Sequence, residues 1–157
     1  MNPRAICYAG LPGAGKSEAA RIGQDVLGGT RDSMGQAMRR AFQSEADRDV
    51  TSESLGEFAT NFRKNHGADG LAERMIMEWG YGEKPERPVH IDGLRCVEEI
   101  RKFEDFFGEI AVIFVDASEG VRLSRLRGRD RDGEGAFQMI DLRKRDAREY
   151  EIGRAHV

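Results

Sequence analysis

Two cysteines, three histidines and the lack of a long apolar run set the first limits on this chain of 157 residues. Cys7 and Cys96 are too few and too far apart for a disulfide framework or a cysteine metal cluster. We expect Cys7, which lies in a short apolar segment, to pack as a small hydrophobic side chain. The histidines at 66, 90 and 156 have no metal-ligand spacing and no neighbouring nucleophile. We therefore predict that none of them is catalytic.

The chain also lacks a targeting segment and any apolar stretch near the ~20 residues that a membrane-spanning helix needs. Its formal net charge is −3, which argues against a general nucleic-acid or membrane-surface binder. These absences predict a cytoplasmic protein that binds neither nucleic acid nor membrane. The length predicts that residues 1–157 form a single domain with a sizeable core.

Lysine is scarce as well, since only 5 of the 25 basic residues are lysine and 20 are arginine. Guanidinium groups bind phosphate bidentately, which suits an enzyme that handles phosphates. A genome rich in G and C, or a high-salt habitat that disfavours lysine, explains the overall ratio better. Only the placement of the arginines along the chain is therefore informative.

Glycine, in contrast, is plentiful, and it builds the strongest motif, Gly10-Leu-Pro-Gly-Ala-Gly-Lys-Ser17. This segment matches the phosphate-binding pattern G-x-x-x-x-G-K-[ST] at each fixed position. An apolar segment before it predicts a strand and helix-forming residues after it predict a helix, whose N-terminus would complete an anion site. Lys16 would bind the outer phosphates of ATP or GTP, and Ser17 would hold Mg²⁺. The loop residues that would surround the phosphates are Gly10, Pro12, Gly13, Ala14 and Gly15.

Hydrophobic periodicity predicts the elements that follow. Ser33 and Asp69 are expected to cap two helices, a third helix should run from Ser52 to near Gly67, and Val97–Phe107 should form a fourth. Buried strands are predicted at 88–92 and 110–116, whereas 26–32 is a poor strand candidate and 80–88 a loop. Alternating strands and helices indicate an α/β fold with a parallel sheet and helices on both faces.

Ligands of such sheets bind beyond the carboxyl ends of the strands, where the glycine-rich loop, Asp92 and Asp116 are all expected. Asp92 ends an apolar strand, which is the position of an acidic group near Mg²⁺ in proteins with this loop. The alternative is a solvated strand-end aspartate that caps the next turn. Asp116 is the weaker candidate, because Asp116-Ala-Ser118 also fits a simple helix entry.

Arginines cluster on both sides of the polar segment 130–135. Arg122, Arg125 and Arg129 would share one face of a helix, and a second basic set follows at 142–148. This arrangement is typical of a lid that closes over a transferred phosphate and excludes water. The alternative is a solvated helical hairpin with local ion pairs to nearby aspartates, an explanation that applies first to Arg127 and Arg131.

With these motifs in place, the whole chain resembles the nucleoside-monophosphate-kinase branch of P-loop proteins. Within that branch it is similar to an archaeal group described as adenylate-kinase-like or dephospho-CoA-kinase-like. Residues 33–39 resemble S-T-G-D-x-x-R, whose arginine holds the acceptor phosphate, so the resemblance assigns that role to Arg39. Residues 92–95 resemble D-G-F-P-R and suggest Arg95, although the proline is missing. Residues 125–129 resemble the lid motif R-x-x-G-R, and 145–148 resemble the second lid set, which adds Arg125, Arg129, Arg145 and Arg148.

The resemblance implies a three-layer α/β/α P-loop NTPase fold with an acceptor-binding helical region at about 33–80 and a lid at about 122–148. Gln36 replaces the usual acid of the acceptor motif, and 52–79 departs from adenylate kinase. The last strand of the family would be absent, through truncation or because another subunit completes the sheet, so a monomer and a homodimer both stay open.

The implied function is transfer of the γ-phosphoryl group of ATP, with Mg²⁺, to a small phosphorylated acceptor such as a nucleotide. Lys16, Asp92, Arg125 and Arg129 would be the catalytic residues. A dephospho-CoA-kinase-like reaction at a hydroxyl group is an alternative, for which Asp32 or Asp92 would be the base. A slow P-loop NTPase and a nucleotide-sensing regulatory module are two further alternatives.

Overall fold

The computed structural model describes residues 3–46, 49–80, 85–131 and 133–152. Its strands are β1 (Ala5–Ala9), β2 (Thr30–Ser33), β3 (Val89–Asp92) and β4 (Ile110–Phe114). Its helices are α1 (Lys16–Leu27), α2 (Met34–Glu45), α3 (Ser52–His66), α4 (Gly70–Trp79), α5 (Val97–Phe107), α6 (Glu119–Arg129) and α7 (Met139–Ile152), with a 3₁₀ turn at Glu134–Ala136. Within this described part, no helix has the length and apolar character needed to cross a membrane.

The four strands form one parallel sheet in the order β2-β3-β1-β4. The central strand β1 pairs Ala5 with Val89 of β3 on one side and with Ile110 of β4 on the other. All residues of β1 and β3 are buried, as strands covered on both faces require. Because the strands are parallel, the segments that follow them gather at one edge of the sheet. The predicted three-layer α/β/α fold is confirmed.

The larger hydrophobic core lies on the sheet face covered by α2, α3, α4 and α5. Cys7 and Ile91 face this core, because side chains of a strand alternate between its two faces. Burial raises the pKa of the Cys7 thiol to about 12, so this cysteine packs as a protonated, apolar group, as predicted. On the opposite face α1 covers a smaller cluster of Ile6, Tyr8 and Ala20. Apolar side chains of these helices fill the larger core: Met34, Met38, Phe62, Leu71, Met75 and Phe103.

The helices predicted over 33–80 are present, but their N-terminal caps differ from the prediction. Ser33 and Asp69 occupy the N-cap positions of α2 and α4 without a side-chain capping hydrogen bond. Helix α3 instead has a capping box, in which the backbone N–H of Ser54 donates to Thr51 Oγ1 at 3.1 Å and that of Thr51 donates to Ser54 Oγ at 2.9 Å.

Two strand predictions need correction. Residues 26–32 were expected to be a poor strand, yet Thr30–Ser33 forms β2 and pairs with β3. This strand is polar and lies at an edge of the sheet, where few apolar side chains are needed. The glycines at 28 and 29 precede β2 and do not interrupt it. The last strand, β4, ends at Phe114, two residues before the predicted Asp116.

The outer side of β4 is the other edge of the sheet, and no strand of the described ranges pairs with it. Val112, Ile113 and Phe114 are 42, 44 and 49% exposed. The strongest strand predicted from the sequence is therefore an edge strand, although its apolar run is typical of a buried one.

Helices α6 and α7 pack against each other through a separate hydrophobic cluster. Leu123, Leu126 and Leu142 are its buried members, and Phe137 and Met139 pack against them. The segment between the helices, predicted as a polar loop, contains the 3₁₀ turn, and Gly135 N–H donates to Asp130 Oδ1 at 2.6 Å. Asp132 lies outside the described residues. This helical pair therefore has its own small core.

Candidate functional site

The glycine-rich loop connects β1 to α1, as the sequence predicted. Gly10, Gly13 and Gly15 have φ angles of 137, 80 and 110°, a region that favours glycine. A Cβ atom on Gly13 would lie 2.7 Å from the backbone oxygen of Arg122, so the loop also needs glycine for its contact with α6. The loop ends at the N-terminus of α1, where free N–H groups and the helix dipole attract anions.

Lys16 and Ser17 form the first residues of α1 and line the cleft above the loop. Lys16 Nζ donates to Leu11 O at 2.8 Å, so the ammonium group curls back over the loop. The Ser17 side of the helix is exposed. The ammonium group and the Ser17 hydroxyl group therefore both lie at the N-terminus of α1, which attracts anions.

The cleft has a volume of about 230 Å³, below the ~300–1,000 Å³ typical of sites for whole ligands, so it suits phosphate groups better than an entire nucleotide. Seven basic side chains of the described residues line it, against the three carboxylates of Glu18, Asp92 and Glu149. Six of the seven are arginines: Arg39, Arg95, Arg125, Arg129, Arg131 and Arg145. The cleft is therefore strongly positive in a protein whose formal net charge is −3.

Asp92 ends β3 beside the central strand and is 6% exposed. It lines the cleft together with Ser17, so a carboxylate and a hydroxyl group converge there. Asp116 follows β4, is exposed, and is not among the residues that line the cleft. Of the two predicted strand-end aspartates, only Asp92 reaches the cleft.

Arg39 and Arg95 line the side of the cleft formed by α2 and the segment after β3. Arg39 Nη1 donates to Gly35 O at 3.4 Å, a long hydrogen bond within α2. Burial lowers the pKa of Arg95 from its ordinary value, although Glu149 and Glu99 oppose that effect. The buried Nε of Arg95 has no hydrogen-bond partner among the described residues. The two arginines from residues 33–39 and 92–95 thus line the same cleft.

The three arginines expected on one face of α6 have different roles. Arg122 is 2% exposed and forms a bidentate pair with Asp146 of α7, with N–O distances of 2.8 and 2.6 Å. The Asp146 carboxylate raises the pKa of Arg122, although burial opposes that effect. Arg122 Nη1 also donates to Pro12 O at 3.2 Å. Arg122 therefore fixes the lid helices to the glycine-rich loop and does not line the cleft.

Arg125, one turn further along α6, lines the cleft and also contacts the loop. Its Nη1 donates to Ala14 O at 2.8 Å and to Gly13 O at 3.3 Å. Side chains from two successive turns of α6 thus contact the loop. Ala14 itself is buried, and its carbonyl oxygen is the group that Arg125 contacts.

Arg129 and Arg145 come from α6 and α7 and converge on Glu134, a residue that the sequence analysis did not single out. Arg129 donates through Nε and Nη2 at 2.6 and 2.7 Å, and Arg145 Nη1 donates to the same carboxylate. Glu134 is 1% exposed. Burial favours its protonation, but the hydrogen bonds from the two arginines outweigh burial and hold the pKa of Glu134 below its ordinary value. The carboxylate is therefore charged at neutral pH.

Three further arginines in the segment from α6 to α7 make different contacts. Arg148 lines a neighbouring groove between α3 and α7, where its Nη1 lies 2.6 Å from the position of a Cβ on Gly56. Arg127 contacts Phe137 O and Gln138, in agreement with a structural role. Arg131 was expected to share that role, but it lines the cleft. The structure thus separates Arg148 from the cleft in this conformation.

Sequence patterns gave no signal for Glu134 or Glu149. Glu134 lies in a polar, glycine-flanked segment typical of a solvated loop, and Glu149 lies in a charged helix. Their burial depends on how α6 and α7 pack, which is not visible in spacing. His90 lies buried between Tyr8 and Gly28 and is not among the residues that line the cleft.

No protein-family model matches the chain. A solved structure with a similar fold is a gluconokinase from Sinorhizobium meliloti, with a TM-score of 0.53, 19% sequence identity, and alignment over 93% of this chain and 74% of that chain. At this level of identity the likeness shows a shared fold and no more.

Curated archaeal proteins match along almost the whole chain. The UPF0200 protein of Pyrobaculum aerophilum is 35% identical over 154 residues, which cover 97% of this chain and 80% of that protein. The UPF0200 protein of Methanoculleus marisnigri is 34% identical over 155 residues, with 97 and 81% coverage. A longer UPF0200/UPF0201 protein of Archaeoglobus fulgidus is 32% identical, and the chain spans 47% of its length. By sequence identity and by coverage, this chain belongs to the UPF0200 family.

Proposed function

We propose that this protein is a P-loop kinase that transfers the γ-phosphoryl group of ATP, with Mg²⁺, to a small acceptor that itself carries a phosphate group. The observation that carries the proposal is one cleft in which the glycine-rich loop, Lys16 and six arginines converge. A pure nucleotide sensor has no need of so many cations around a transferred phosphate. The described chain would act as one kinase-like domain with acceptor and lid regions.

The donor phosphates would bind over the glycine-rich loop. The N–H groups at the start of α1 and the ammonium group of Lys16 would hold the outer phosphates, after Lys16 leaves Leu11 O. Since the cleft suits phosphates and not a whole nucleotide, the base and sugar of the donor would lie outside it. The choice between ATP and GTP would therefore depend on residues elsewhere.

Ser17 and Asp92 fit a magnesium ion, because they are the hydroxyl and carboxylate oxygens that converge at the donor end of the cleft. Mg²⁺ is held by few protein oxygens when phosphates and water complete its octahedral shell. When bound, the ion would neutralise charge on the phosphates. The single negative charge of Asp92 would orient the Ser17 hydroxyl group at the donor end of the cleft.

Arg39 and Arg95 would bind the phosphate of the acceptor, opposite the donor. An oxygen of that phosphate would attack the γ-phosphorus as the bond to the β-phosphate oxygen breaks, which yields ADP and the phosphorylated acceptor. Arg125, Arg129 and Arg145 would stabilise the negative charge on the transferred group. Arg148 would reach this group only if the lid closed further.

A hydroxyl acceptor fits the site less well, since it requires a base. The carboxylate of Asp32 accepts hydrogen bonds from Arg40 at 3.1 and 3.3 Å and from Trp79 Nε1 at 2.9 Å, and Asp32 does not line the cleft. Asp92 would be engaged at the donor end. A phosphate acceptor needs no base at neutral pH, because its oxygens are already ionised.

The test is ADP formation from ATP and Mg²⁺ with a panel of nucleoside monophosphates, dephospho-CoA and no acceptor. We expect acceptor-dependent turnover with a nucleotide, loss of turnover in Lys16→Ala, and a raised KM for the acceptor in Arg39→Ala. Arg101→Ala, which removes an exposed arginine of α5, is the matched control and should behave like the wild type. ADP formation that no acceptor changes would identify a slow NTPase, and ATP binding without turnover a sensor.

A further inference from the structure

Glu134 is the one buried carboxylate of the described lid that two cleft-lining arginines share. Its Oε1 accepts from Arg129 Nη2 at 2.7 Å and from Arg145 Nη1, while its Oε2 accepts from Arg129 Nε at 2.6 Å. Glu134 itself does not line the cleft, whereas both arginines do. The carboxylate therefore lies behind the guanidinium groups as seen from the cleft.

We propose that Glu134 is a positioning residue that holds Arg129 and Arg145 together as one two-guanidinium clamp for the terminal phosphate. Two neighbouring guanidinium groups repel each other, and a buried anion between them removes that repulsion before any ligand binds. A preformed clamp loses less conformational entropy when phosphate arrives than two independent side chains would. The role rests on the proposed function, because the clamp is useful only if a terminal phosphate reaches it.

The bonding pattern leaves donors for a ligand. Glu134 takes Nε and Nη2 of Arg129 side-on and only Nη1 of Arg145. Each guanidinium carries five N–H donors, so donors on both remain for a phosphate in front of the pair. Arg129 is 36% and Arg145 25% exposed, whereas Glu134 is 1% exposed. The exposed parts of the arginines thus face solvent and the buried parts face Glu134.

The lid offers a matched control. Glu119 of α6 accepts from Arg143 of α7 through Nε and Nη2, at 3.1 and 3.0 Å, in the same side-on geometry. That pair also joins the two lid helices, but it is exposed and lies away from the cleft. Glu119→Gln therefore removes an equivalent interhelical ion pair without touching the clamp.

The experiment is titration calorimetry of the whole protein with ADP and with a non-hydrolysable ATP analogue, each with Mg²⁺ and without acceptor. We expect Glu134→Gln to weaken binding of the triphosphate roughly tenfold, the lower end of the range for residues that orient the ligands of a metal ion. Binding of ADP should change less than about twofold, because the P-loop holds its phosphates. Glu134→Asp should recover part of the loss, and Glu119→Gln should leave both affinities unchanged.

A double-mutant comparison separates positioning from general support of the fold. In an Arg129→Ala/Arg145→Ala background, Glu134→Gln should weaken the triphosphate no further. Equal losses for ADP and the triphosphate would overturn the proposal and make Glu134 a structural residue. Tighter binding of the triphosphate would also overturn it, since Glu134 would then compete with phosphate. The calorimetry measures binding and not turnover. If the acceptor panel overturned the kinase proposal, the calorimetry would therefore still test the role of Glu134.

Discussion

At the scale of single residues, Tyr8 and His90 form a buried chain of hydrogen bonds between the sheet and α1. Tyr8 Oη and His90 Nδ1 are 3.0 Å apart, and His90 Nε2 is 3.0 Å from Gly28 O. A carbonyl oxygen only accepts, so Nε2 carries the proton and donates to Gly28. In the neutral imidazole Nδ1 then accepts, and the Tyr8 hydroxyl is its donor. The tautomer of His90 follows from one backbone carbonyl.

Tyr8→Phe should therefore leave Nδ1 of His90, which is 0% exposed, without a donor. We expect the free energy of unfolding to fall by about 1–3 kcal/mol, the range for a buried polar group that loses its partner. Urea denaturation of Tyr8→Phe and of Tyr150→Phe measures this, because Tyr150 is 50% exposed and its change should be within ~0.5 kcal/mol. Equal stability of the two variants would contradict the hydrogen-bonded chain.

The conformation of the glycine-rich loop could be predicted from the sequence, whereas the contacts between α6 and α7 could not. The positions of Lys16 and Ser17 at the start of α1 follow from a local motif whose geometry is set by eight consecutive residues. Arg122 and Arg129 do share a helix face, but they are seven residues apart, which is about 10 Å along the axis. One therefore meets Asp146 and the other Glu134. The spacing of residues in the sequence predicts which face of a helix they share. It does not predict which residue of another element each of them contacts.

At the scale of elements, the joint between α6, α7 and the glycine-rich loop depends on the buried pair Arg122–Asp146. The side chains of the pair are 3 and 10% exposed. Removal of one partner leaves an uncompensated charge in the interior, so the surviving partner destabilises the fold more than the pair stabilised it. This asymmetry makes the joint sensitive to a single substitution.

We expect Asp146→Asn to lower the free energy of unfolding by about 3–5 kcal/mol, because Arg122 remains buried without its anion. The control is again Glu119→Gln, which removes the exposed ion pair between the same helices and should change stability by less than ~1 kcal/mol. Thermal denaturation followed by circular dichroism compares the two variants. A loss in Asp146→Asn no larger than in the control would show that the joint does not depend on this charge.

The helices and three of the four strands were predicted from the sequence, whereas the polar strand β2 was not. Helices α3, α4 and α5 carry apolar residues at helical intervals, a pattern that one segment contains by itself. The polar strand β2 instead depends on β3 for its hydrogen bonds, and four residues contain too little pattern to reveal it. A strand is stabilised by hydrogen bonds to a neighbouring strand. The sequence of one segment alone therefore predicts a strand less well than a helix.

At the scale of the whole molecule, charge is unevenly distributed. The formal net charge is −3, yet seven basic and three acidic side chains of the described residues line the cleft. The negative remainder of the surface repels anions at long range, while the cleft attracts them at short range. Salt screens such interactions over a Debye length of ~10 Å at 0.1 M.

We therefore expect the affinity for ATP with Mg²⁺ to fall as potassium chloride rises from ~0.05 to ~0.5 M, with a shallower fall in the Arg129→Ala/Arg145→Ala variant. Titration calorimetry at fixed Mg²⁺ concentration gives the slope for each protein. A slope in the variant equal to that of the wild type would mean that these two arginines do not contribute to the field at the bound phosphates.

The contacts of Arg122 and Arg125 with the glycine-rich loop have an electronic consequence. Both guanidinium groups point at backbone oxygens, those of Pro12 at 3.2 Å and Ala14 at 2.8 Å. Each of these oxygens shares a peptide plane with the next amide nitrogen, that of Gly13 or Gly15. A cation on the oxygen draws electron density through the plane and makes the attached N–H a more acidic, stronger donor. The contacts of these two side chains with the loop thereby strengthen the N–H groups of Gly13 and Gly15 as hydrogen-bond donors.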